Sequence, residues 1–157
     1  MKRSAILAAL AVIAPLTVPT AVNAAPARAK PAVCAQTPKQ IVTRFMDLFY
    51  GQKKVREAFE TYVDPGYIQH NPYAATGRDA AIAFLEPAFR DPAIRYEIKR
   101  IMADGDLVAV HAHGWMKAGD PGVAVVDILR VAHCKVVEHW DVLQPVPAQS
   151  ANANTMF

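Results

Sequence analysis

Near Ile94 the spacing of apolar residues changes from a helical period to a strand period, and that change limits the fold more than any other feature of the chain. Upstream, Thr37 is placed to cap a helix and Pro38 suits its first position; Ile41, Val42, Phe45, Met46, Leu48 and Phe49 then recur at helical spacing until Gly51. A second helix is expected from Lys53 to Tyr62, with Val55, Ala58, Phe59 and Tyr62 on one side and Asp64-Pro65-Gly66 ending it. Tyr67 to Pro72 reads as an extended turn. After Gly77, the residues Ala80, Ala81, Phe84, Leu85 and Phe89 predict a third helix to about Phe89, bent at Pro87. Downstream, apolar residues alternate between turn signals at Asp104-Gly105, Gly119-Asp120-Pro121-Gly122 and near His133, which predicts four strands in a meander, near 95–103, 106–117, 123–132 and 135–143. Helices in one run and strands in the next give an α+β order, with three N-terminal helices packed on one face of a curved sheet that can enclose a cavity. No Rossmann, P-loop or nucleophile-elbow motif interrupts it.

The ends bound the domain. Lys2 and Arg3, the apolar run Ala5–Val18 and the small residues around Ala24 read as a secretory signal peptide over 1–24; Pro15 and Pro19 break the run short of a membrane span. A linker over 25–36, one domain over 37–145 and an unpatterned tail over 146–157 follow. The expected location is periplasmic or secreted. Of the 17 Lys and Arg, two leave with the signal, against 14 Asp and Glu, so the mature chain offers no basic footprint for nucleic acid or an anionic membrane. Two cysteines, Cys34 and Cys134, in an exported chain favour a disulfide over two free thiols.

On a strand, side chains two apart share a face. His111 and His113 therefore point together, as do Val125, Asp127 and Leu129, and again Val137, His139 and Asp141. Parity cannot align one strand with the next, so these groups either converge in a pocket as an acid–base cluster or face solvent. His111-Ala112-His113 also permits a metal site, but the spacing is a weak signal and none is expected.

Two stretches carry a family resemblance: Tyr67-Ile68-Gln69-His70-Asn71-Pro72 with Gly77 beyond it, and Val126-Asp127-Ile128 leading through Arg130 to Val137-Glu138-His139-Trp140-Asp141-Val142-Leu143-Gln144. Over roughly residues 38 to 145 the chain resembles the SnoaL-like proteins, relatives of polyketide cyclases within the NTF2-like superfamily. The resemblance implies an NTF2-like cone with a mostly antiparallel sheet, and a cofactor-independent aldol-type reaction in its pocket. It implies that Asp127 is the general acid–base, with His113 and His70 as its catalytic partners. His111, Asn71, His139, Asp141 and Trp140 would then touch substrate. The chain departs from its relatives at the Cys134 turn, where Asp-Gly is common.

Two functions follow as expectations. One is a small lyase, isomerase or cyclase acting on a small hydrophobic carbonyl compound without cofactor or metal. The other is a noncatalytic module that binds a small molecule in the same pocket. A homodimer through Val126, Ile128, Trp140 and Val142 is also expected.

Overall fold

The computed structural model describes residues 34–157. The expected signal peptide and residues 25–33 of the linker lie outside the described residues.

Thr37 caps helix α1 (Pro38–Met46) in a reciprocal box with Gln40, and Pro38 occupies its first turn. The helix then widens into one π-helical turn, Asp47–Gly51. That wider turn moves the buried face forward: Phe49 and Tyr50 are buried, whereas Leu48 is only partly so. Helix α2 (Val55–Tyr62) and helix α3 (Arg78–Ala88, with Pro87 in its last turn) complete the helical layer.

The sheet has five strands: β1 (Val63–Gln69), β2 (Arg95–Asp104), β3 (Leu107–Trp115), β4 (Val123–Ala132) and β5 (Lys135–Pro145), in the order β1-β5-β4-β3-β2. The four expected strands form an antiparallel meander. β1 is the addition. The segment read as a helix stop and a turn is an edge strand running parallel to β5, irregular between Val63 and Ile68 where Pro65 and Gly66 fall. An edge position tolerates proline because one side of the strand needs no partner.

The core lies between the helices and one sheet face. Ile41, Val42, Phe45 and Met46 of α1 pack with Val108, Val110 and Ala112 of β3, Leu129 of β4 and Val136 of β5. Cys34 and Cys134 form a disulfide that ties the start of α1 to the β4–β5 turn. No helix among the described residues is long and apolar enough to cross a membrane.

Candidate functional site

The strand register decides which ionisable groups meet. Asp127 pairs with Val110 on one side and with Asp141 on the other, and Leu129 pairs with His139, so Asp127, His139 and Asp141 share the inner face with the core valines. His111 pairs with Val126 and His113 with Ala124, which sends both imidazoles to the outer face. The expected convergence of His113 and His111 with Asp127 is therefore corrected: they lie on opposite sides of the sheet. His113 instead has Nε2 2.9 Å from the Pro121 carbonyl, and its ring stacks on Phe157 of the C-terminal tail at 4.0 Å.

His70 and Trp140 also lie on the outer side of the sheet, which corrects the expected place of His70 beside Asp127 and of Trp140 against substrate. Their rings stack at 4.7 Å, and His70 Nε2 lies 2.8 Å from Glu138 Oε1. Glu138 also accepts from Arg130, which in turn donates to Asp106. Hydrogen bonds from His70 and then Arg130 hold the Glu138 carboxyl below its ordinary range. This cluster clamps the loop after β1 to the back of the sheet.

Inside, a cavity of about 300 Å³ opens between the helices and the sheet. Phe45, Phe49, Phe59, Phe89 and Met116 form apolar walls, and Phe84 and Leu143, both about half exposed, contribute to the lining. The polar groups are Tyr50, Tyr67, Gln69, Asn71, Tyr96, Asp127, His139 and Asp141. Asp127 is 4% exposed and is the one buried charged side chain among the described residues. Tyr50, delivered by the π turn, donates to Asp127 Oδ2 at 2.8 Å, and its ring stacks on Tyr96 at 4.0 Å. Gly114 lets Tyr96 lie across β3, since a Cβ there would fall 2.8 Å from the Tyr96 ring.

Hydrogen-bond bookkeeping locates a proton. The main-chain N–H of Asn71 can only donate, and it donates to Gln69 Oε1 at 2.9 Å, while Gln69 Nε2 donates to the Tyr67 hydroxyl. His139 Nδ1 lies 2.9 Å from that same Gln69 oxygen and must therefore carry hydrogen. Its Nε2 then faces Asp127 Oδ1 at 3.1 Å. A bare lone pair against a carboxylate oxygen would repel, so one proton is held between Asp127 and His139. Asn71 Nδ2 donates to Asp141 Oδ2 at 2.6 Å.

Burial, followed by the negative charge of Asp127, pushes the Tyr50, Tyr67 and Tyr96 hydroxyls above their ordinary range, so all three stay protonated at neutral pH. Tyr67 accepts from Gln69 and keeps its own hydrogen for a ligand; Tyr96 makes only a 3.7 Å contact to the Met116 sulfur. The ligand atoms of Asp127, His139 and Asp141 lie within 4.8 Å of one another, a grouping that a divalent cation can span.

The structure thus brings together Asp127, His139, Asp141 and Asn71, and leaves out His70, His111, His113 and Trp140. Tyr50, Tyr67, Gln69 and Tyr96 were missed. For two of them a signal existed: Tyr67, Gln69 and Asn71 alternate with Ile68 and His70, which is strand parity in a segment read as a turn.

An apolar cone with a carboxylate–imidazole pair in its cavity defines an NTF2-like pocket protein. More narrowly, the chain belongs to the SnoaL-like domain family, whose model matches residues 42–139. Solved structures of similar fold include a putative SnoaL-like polyketide cyclase from a Jannaschia species, 24% identical with TM-score 0.53, covering 71% of this chain and 91% of that one. A putative ketosteroid isomerase from Kribbella flavida is 18% identical with TM-score 0.58, covering 76% and 87%. An NTF2-like protein of unknown function from Cytophaga hutchinsonii is 12% identical with TM-score 0.60, covering 71% and 94%. No curated protein sequence matches at a significant level.

Proposed function

We propose that the cavity binds a small hydrophobic carbonyl compound and that Asp127, coupled to His139, moves a proton alpha to the carbonyl in a cyclase, isomerase or lyase step without a cofactor. The observation that carries this reading is the buried Asp127 facing an apolar cavity with a proton-sharing imidazole at 3.1 Å. Asp127 takes the proton from the alpha carbon, and the C–H electron pair moves to the carbonyl oxygen. The Tyr67 and Tyr96 hydroxyls donate to the resulting oxyanion. Return of the proton at another carbon completes an isomerisation; attack of the enolate on a second carbonyl, whose oxygen then takes the proton, completes an aldol closure. The resemblance to cyclases and the name of the Kribbella neighbour both suit this class of chemistry.

The test is exchange of the alpha protons of a bound ketone with deuterated solvent, followed by NMR. Asp127→Asn is expected to slow exchange by at least about a hundredfold; an unchanged rate would sink the assignment.

One observation favours the second reading, a noncatalytic binding module: among the described residues, no buried side-chain nitrogen or oxygen lacks a partner, so the network is complete without chemistry. That reading requires ligand affinity to survive Asp127→Asn in a protein that exchanges no protons.

Export is part of the proposal. It is supported by the disulfide, which an oxidising compartment sustains.

A further inference from the structure

The charges that line the cavity do not balance. Two carboxyl groups, Asp127 and Asp141, stand against one imidazole, and among the described residues no lysine or arginine lines the space. The proton shared by Asp127 and His139 balances that pair. Asp141 is left with only a neutral donor, the Asn71 amide, on Oδ2. It lies directly across the strand pair from Asp127, at the inner face and half-buried. The tyrosines register the same field, since the charges of Asp127 and Asp141 both help to raise Tyr67 and Tyr96. Aromatic rings share the space with Asp141: Tyr67 and Phe84 line it, and ring surface of this kind complements a cation. A volume of about 300 Å³ sits at the low end of small-molecule sites and holds one or two rings.

We infer that the ligand of this cavity is a compact aromatic carbonyl compound bearing a protonated amine, with the ammonium received by Asp141 and the carbonyl end at Asp127. This rests on the proposed function for the carbonyl end and adds the charge class. An ammonium replaces the missing countercharge and donates to the unused carboxylate oxygen, whereas a carboxylate-bearing ligand would set a third negative group in the same low-dielectric space.

Three probes of one shape test it: butyrophenone, its analogue with the terminal methyl replaced by ammonium, and its analogue with that methyl replaced by carboxylate. Dissociation constants are measured by calorimetry on the full chain at neutral pH, with and without a chelator. The ammonium compound is expected to bind at least about tenfold more tightly than butyrophenone, and the carboxylate compound more weakly than either. Asp141→Asn preserves an acceptor for Asn71 and is expected to erase the ammonium advantage, read as the ratio of the ammonium and butyrophenone dissociation constants within the variant. Equal affinity for the ammonium and neutral compounds would overturn the inference. So would an advantage that survives Asp141→Asn, preference for the carboxylate compound, or binding of none of the three. An advantage that depends on the chelator would assign the three-residue cluster to a divalent ion and overturn it as well. The outcomes are independent of proton exchange, so failure here leaves the Asp127 assignment to its own test.

Discussion

Tyr50, Tyr67 and Tyr96 surround Asp127 from three different elements, and their burial has a consequence for stability. Each hydroxyl ionises less readily in the fold than at the ordinary tyrosine value of 10.0, first because burial disfavours the phenolate and then because Asp127 is near. Below pH 10 both folded and unfolded chains keep these protons and the stabilisation is complete. Above it the unfolded chain releases them first, so stability falls as pH rises toward the raised folded values. Urea titrations across that range are expected to show a declining midpoint, and Tyr67→Phe is expected to flatten the decline. An equally steep fall in the variant would mean that another group is responsible. The same residues show how far residue types alone reached: they named Asp127, His139, Asp141 and Asn71, which meet in the cavity, but histidine chemistry also drew in His70, His111 and His113, and the partner that faces Asp127 is His139.

At the scale of elements, the turn between β3 and β4 is closely packed at Gly122. Gly122 adopts φ +92, and a Cβ there would fall 2.5 Å from the Gly114 carbonyl and 2.5 Å from His113 Nε2. Backbone cannot yield as a flexible side chain does, so Gly122→Ala is expected to cost about 1–3 kcal/mol or more, read from denaturant midpoints. Gly105, at φ +57 with open space around it, is the control, and Gly105→Ala should cost less, about 1 kcal/mol. The reverse order would mean that the close approach of Gly122 to the Gly114 carbonyl and His113 does not limit the turn. The helices and the four strands of the meander were legible because amphipathic period and turn residues are local properties. β1 was not, because Pro65 and Gly66 carry turn chemistry in an edge strand whose partner lies some seventy residues away.

For the whole molecule, the bond between Cys34 and Cys134 closes a loop spanning a sequence separation of 100. The proposed export requires that protein recovered from outside the cytoplasm begin near Ala25 and carry the intact bond; reduction should lower unfolding free energy by about 2–5 kcal/mol. A reduced protein of unchanged stability would show that the bond restrains nothing that the core does not already hold. By itself, the sequence determined the α+β order, the meander, the cap at Thr37 and the family resemblance, since each is written in neighbouring residues or short motifs. Only the tertiary structure decided which groups face one another. A shift of one residue in strand pairing turns every side chain to the opposite face, and parity within a strand carries no information about its neighbour. The register of β3 with β4 and β5, together with the parallel docking of β1, brought His139, Asp141 and Gln69 to Asp127 and carried the other histidines away.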